Sequence, residues 1–176
     1  TDVARKSLPQ AECPEVTVTD VAVTSLSLRK QVDHMISWAH ERASKIVCDA
    51  NVHMLIESRS NFKLRKALES AHLVTPDGMP LVWVMRSLGV SSQERVAGMD
   101  IFKDACKQCA KEGISIYLLG STNSVLEKMV EQLKIDFPKL KIAGVESPPF
   151  RKLSSQEEQE TVERINASGA WLTFVS

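Results

Sequence analysis

The run "ISIYLLG", residues 114–120, constrains the fold more than any other feature of this chain. It is short, apolar without alternation, and stopped by Gly120. It lies between two segments of helical period. Phe102, Cys106, Cys109 and Gly113 precede it, and Leu126, Val130, Leu133 and Phe137 follow it. A strand that is apolar on both faces, with a helix before and after, belongs inside a parallel sheet covered by helices.

The same alternation extends in both directions. "VTVTDVAVTSL" is β-branched and alternating and predicts a strand or a hairpin. Leu28, Val32, Met35, Ile36, Ala39 and Ala43 keep helical spacing. "KIVCDAN" and "AHLVTP" read as strands, separated by two short helices near 52–59 and 61–70. The run Leu81 to Leu88 predicts an apolar helix closed by Gly89. After the polar loop "SSQERVAGMD" come a helix over 100–112, the strand "ISIYLLG" and a helix stopped by Pro138. "KIAGV" is a further strand. Ser154 with Glu157 and Ser155 with Glu158 offer overlapping capping boxes to the next helix, and "AWLTFVS" is the last strand. The expectation is a single α/β domain over residues 16–176, with a Rossmann-like, mainly parallel sheet flanked by helices, after a flexible lead-in over 1–15.

Composition narrows the function classes. With 22 basic and 22 acidic residues the formal net charge is zero, which argues against a nucleic-acid footprint of clustered Lys and Arg. No segment approaches the roughly 18–20 apolar residues of a membrane helix. "CKQC" has no second Cys or His pair at zinc spacing, and Cys106 and Cys109 share the apolar helical stripe, so both are expected in the core. Unpaired, buried cysteines fit a reducing, cytoplasmic location. His34, His40, His53 and His72 form no metal or catalytic pattern.

In parallel α/β sheets ligands bind outside the carboxyl ends of the strands. That rule ranks the polar residues: Asp49 and Asn51 follow one strand, Asp77 and Gly78 another, Gly120 and Ser121 a third. Each has two readings. Asp77 is a turn or helix-cap residue, or a base able to take a proton from a hydroxyl. "LLGSTNS" is an ordinary strand–helix turn, or an anion site in which glycine and the helix's first N–H groups meet phosphate. Arg95 is a surface arginine paired with Glu94 or Asp100, or a clamp for phosphate oxygens. No dinucleotide fingerprint, P-loop or nucleophile elbow is present.

Five segments taken in order, "CDANVHM", "VTPDGMPLV", "ERVAGMD", "YLLGS" and "FPKLKIAGVESPPF", resemble the WecG/TagA/CpsF glycosyltransferases, over about residue 16 to the last residue. The resemblance implies inverting transfer of N-acetylmannosamine or a related hexose from a UDP-sugar to a polyprenyl-diphosphate-linked saccharide. It implies no metal or cofactor, peripheral contact with the inner face of the plasma membrane, and a role in cell-surface polysaccharide synthesis. It assigns Asp77 as general base and Asp49, Asn51, Gly78, Arg95, Gly98, Asp100, Gly120 and Ser121 to substrate binding. Asp49 stands where relatives often carry Thr, and "SPPF" where many carry Gly-Tyr-Phe. The family continues into a "G-x-P-x-Q-E" motif and a basic appendage. The chain is therefore expected to be the amino-terminal part of a longer glycosyltransferase, and this 176-residue chain to self-associate through the sheet edge or face that the later strands would cover. The alternative is a non-catalytic UDP-sugar-binding or assembly module.

Overall fold

A computed structural model describes residues 13–176. The lead-in expected over 1–15 falls mostly outside the described residues, and the first strand begins at Glu15. The chain forms two compact units, with the division falling inside two helices: residues up to Asp33 with Ser44–Ile101, and His34–Ala43 with Phe102–Ser176.

The first unit opens with an antiparallel hairpin, β1 (Glu15–Val18) and β2 (Val21–Thr24). Its turn residues Thr19 and Asp20 have φ of 47° and 70°, the left-handed pair that matches the twist of the flanking strands. Helix α1 (Leu28–His40) starts in this unit. Then β3 (Val47–Ala50) runs parallel to β4 (Leu73–Pro76), and α2 (Val52–Ser58) and α3 (Phe62–Ser70) form the crossover between them. Asn51 and Asn61 start these short helices, each side-chain oxygen accepting a backbone N–H, from Met54 and Leu64 respectively. The hairpin is tied to β4 where the Val74 N–H donates to the Thr24 hydroxyl at 3.0 Å.

Helix α4 (Met79–Ser87) starts with Pro80 in its first turn and is followed by Leu88 and by Gly89 at φ 103°. The expected helix is present, with its start at Met79 rather than Leu81. Val18, Val21, Val23, Ala50, Leu55, Leu68, Val74, Leu81 and Met85 make one apolar core.

The second unit holds the end of α1, most of α5 (Gly98–Glu112), β5 (Ser115–Leu119), α6 (Asn123–Asp136), β6 (Lys141–Glu146), α7 (Ser155–Ala167) and β7 (Leu172–Val175). The strand order is β6-β5-β7 and all pairing is parallel. Strand β5 is central, as its unbroken apolar run requires, and Ile116, Tyr117 and Leu118 are buried. Cys106 and Cys109 are fully buried on α5, and burial pushes both thiols up to about 12. They serve as small hydrophobes, as the helical spacing predicts. Of the two capping boxes, Ser154 with Glu157 is the one formed. The mainly parallel α/β architecture expected from the alternation is the one observed.

The pairing of β5 and β6 shifts register at Ile116/Tyr117. The Tyr117 ring there occupies the space a side chain at Gly144 would need: a Cβ would stand 2.7 Å from Cδ2 and 3.1 Å from Cζ. The ring is held in place by its hydroxyl, which donates to Glu146 at 2.9 Å. Gly144→Ala is therefore expected to lower stability by about 1–3 kcal/mol through overpacking. An unchanged denaturant midpoint would show that the ring moves aside without cost.

Candidate functional site

In the first unit the register Asp49↔Thr75 and Ala50↔Pro76 brings the ends of β3 and β4 level. The Thr75 hydroxyl donates to Oδ1 of Asp49 at 2.8 Å. The Gly98 N–H, at the start of α5, also donates to this carboxylate. Asp49 thus supplies the negative charge that a helix N-terminus favours. The contact is close: a Cβ on Gly98 would overlap Oδ2 of Asp49 and stand 3.1 Å from Cγ. Partial burial, and then the nearby charge of Asp77, raise the pKa of Asp49, while Thr75 and Gly98 pull it back.

Asp77 follows directly. Its N–H donates to the Ala50 carbonyl at 2.9 Å, which holds it at the mouth of both strands. Its carboxylate is half-buried and takes no hydrogen bond or ion pair from any described residue. The turn-and-cap reading of Asp77 is not what forms. Gly78 is the N-cap of α4, at φ 92° and ψ 140°, with no side-chain cap bond. That backbone is open to glycine and strained for other residues, and it is what frees Asp77 from capping.

The segment "ERVAGMD" is pinned to the same place by the Val96 N–H, which donates to the Pro76 carbonyl at 3.1 Å. Arg95 and Asp100 form an exposed ion pair at 3.4 Å. Glu94, the other partner considered for Arg95, instead accepts the Leu28 N–H at 2.9 Å. The structure therefore gathers Asp49, Asn51, Asp77, Gly78 and Gly98 around two strand ends, with Arg95 and Asp100 on the loop and helix start that dock there. Asn51 spends its side-chain oxygen on capping α2.

Gly120 and Ser121 belong to the second unit. The Gly120 N–H is already committed to the Glu146 carbonyl at 2.9 Å, and the Ser121 carbonyl accepts from the Ser147 hydroxyl at 2.7 Å. The glycine N–H is thus not a spare donor. Helix α6 starts at Asn123 after Thr122, whose hydroxyl makes no cap bond and lies 3.2 Å from Ser124 Oγ.

Two groups of residues escaped the sequence reading. Thr75 orients Asp49, and only cross-strand register shows it. Glu146 closes a network at the end of β6. It accepts from the Tyr117 hydroxyl at 2.9 Å, the Thr161 hydroxyl at 3.0 Å, and Arg164 through Nε at 3.1 Å and Nη2 at 2.7 Å. These partners, Arg164 first, hold its carboxyl down at about 2. A strand ending in Glu ahead of "SPP" was the only local signal.

Both carboxylates give pH tests. Glu146 is ionised more readily folded than unfolded, so its stabilisation is present above the ordinary carboxylate pKa and is lost as pH falls from there toward 2. Glu146→Gln is expected to lower the melting temperature at pH 7 and to narrow its gap to wild type as the pH falls through that window. A gap independent of pH would remove charge from the account. Asp49 has the opposite sign, because its folded pKa is raised. Asp49→Asn keeps an oxygen for Thr75 and removes the charge beside Asp77. It is expected to melt at or above the wild-type temperature at pH 7, with any gain vanishing once wild-type Asp49 is protonated. A variant melting below wild type at pH 7, with the gap closing at acid pH, would overturn that.

The model of the Glycosyl transferase WecG/TagA/CpsF family matches residues 16–176. An N-acetylglucosaminyldiphosphoundecaprenol N-acetyl-beta-D-mannosaminyltransferase of Bacillus spizizenii is 27% identical over 146 residues, covering 82% of this chain and 55% of the relative. A protein of the same name from Bacillus subtilis strain 168 is 22% identical over 129 residues, covering 73% of this chain and 50% of the relative. The chain spans about half the length of these curated relatives.

Proposed function

Because this chain belongs to the WecG/TagA/CpsF family of glycosyl transferases, we propose that it transfers a hexose, with inversion, from a UDP-sugar to a hydroxyl of a saccharide carried on polyprenyl diphosphate at the inner membrane face. The observation that carries this reading is the contrast between two neighbouring carboxylates. Asp49 is held by Thr75 and Gly98, and Asp77 has no partner among the described residues. A carboxylate whose oxygens are not taken up by protein donors is open to a substrate hydroxyl.

In the proposed reaction the acceptor oxygen attacks the anomeric carbon of the donor. Asp77 takes the hydroxyl proton as that bond forms, the bond from the anomeric carbon to the diphosphate oxygen breaks, and UDP leaves with the electron pair. Arg95 meets the charge developing on the diphosphate, its guanidinium half-exposed and tied only loosely to Asp100. Gly78 keeps side-chain bulk away from the acceptor approach. The relatives' names make an N-acetylmannosaminyl donor the first to test.

The test pairs binding with turnover. UDP and a panel of UDP-sugars are titrated by thermal shift against the chain and its Asp77→Asn and Arg95→Ala variants. A ligand that binds only the folded state stabilises it by about 2.7 kcal/mol at a hundredfold excess over Kd. Asp77→Asn is expected to keep the donor-induced shift and to lose roughly 10²–10⁴-fold in transfer. Arg95→Ala is expected to lose the shift. Transfer undiminished in Asp77→Asn would take Asp77 out of the mechanism, and donor binding without transfer in the unsubstituted chain would favour a binding module.

A further inference from the structure

Helix α4 begins two residues after Asp77 and is apolar on both sides. Leu81, Val82 and Met85 are fully buried in the first unit. Met79, Pro80, Trp83, Val84, Ser87 and Leu88 are exposed. Their spacing of four residues within two adjacent rows puts them on one outward face. Trp83 is 60% exposed and Leu88 52%. The helix carries no acidic residue, and its only charge is the exposed Arg86, whose Nε donates to the Gln93 carbonyl at 2.9 Å. Surface helices ordinarily turn a charged face to water, and contiguous exposed apolar surface marks a contact site.

The occupant follows from the chemistry of the acceptor, and this step rests on the function proposed above. A single sugar and a diphosphate would separate the reacting hydroxyl from a membrane-embedded polyprenyl chain. A base that reaches this hydroxyl must itself come to the headgroup layer. The nine-residue helix α4 is roughly 13 Å long, so its outward face stays close to Asp77 throughout. Tryptophan is the side chain best suited to the headgroup–acyl boundary. An apolar face with an arginine and no carboxylate is favoured by anionic lipid. We propose that the outward face of α4 seats on an anionic phospholipid surface, with Trp83 and Leu88 entering the boundary and Asp77 held at headgroup level.

The experiment mixes the 176-residue chain with vesicles of phosphatidylcholine alone, or with phosphatidylglycerol, and reads co-sedimentation together with tryptophan quenching by brominated acyl chains. Binding is expected to the phosphatidylglycerol vesicles, with quenching. The double variant Trp83→Ser/Leu88→Ser is expected to lose about tenfold or more in partitioning, and to stay folded with a cooperative melt because more than half of each residue's surface is already in water. Phe62→Ser, which removes an exposed side chain from α3, is expected to change nothing. Binding by the double variant equal to that of the unsubstituted chain would overturn the proposal, as would no vesicle binding at all. Sedimentation velocity showing a dimer that the double variant dissociates, without vesicle binding, would assign the face to a second copy and also overturn it. Absence of UDP-sugar binding alongside intact, α4-dependent vesicle binding would sink the glycosyltransferase reading and not the lipid surface.

Discussion

The parallel ladder between β3 and β4 governs the first unit. Because Asp49 faces Thr75 and Ala50 faces Pro76, both strands end at one level. The chain then leaves each strand differently. After β3 it enters α2 through a side-chain cap on Asn51. After β4 it enters α4 through Gly78, whose backbone turns the corner without help from its neighbour's carboxylate. A slip of one residue would turn Thr75 away from Asp49 and send the carboxylate to the opposite face. The docking of Gly98 on Asp49 and of Val96 on Pro76 then places the Arg95 loop against these same strand ends.

The electrostatics of the site follow from this arrangement. Two like charges stand at neighbouring strand ends, and the structure treats them unequally. Asp49 receives a hydroxyl and a helix-terminal N–H, whereas Asp77 receives neither. On this asymmetry rests the proposed assignment of Asp77, and not Asp49, as the base. In the second unit the charged group at a strand end is fully engaged. Glu146 is enclosed by Tyr117, Thr161 and Arg164, and its role there is to bind β6 to β5 and α7. The closeness of Tyr117 to Gly144 belongs to the same assembly.

Much of this was legible before any coordinates. The α/β class, the strands around "ISIYLLG", the inert buried thiols and the Ser154 capping box all follow from local patterns. The candidate residues at the strand ends were legible as well, from the rule that places ligands there. Their partners were not. Nothing local distinguishes an Arg95 paired with Glu94 from one paired with Asp100, and nothing shows that Thr75 orients Asp49 across 26 positions of sequence. That the Gly120 N–H is committed to the Glu146 carbonyl is equally invisible locally, because that acceptor lies on another strand.

By itself, then, the sequence determined which segments are strands and which are helices, because the periods of 2 and 3.6 and the capping residues act within a few positions of each other. It also determined which polar residues stand at strand ends. Tertiary structure alone decided which of those residues are engaged and which stay open. Asp77 is open because the pairing of β3 with β4 and the docking of α5 deliver their donors to Asp49, and the left-handed backbone of Gly78 lets α4 start without a carboxylate cap. Hydrogen-bond geometry between distant segments is set by register and packing, and neither is written in any one segment of the chain.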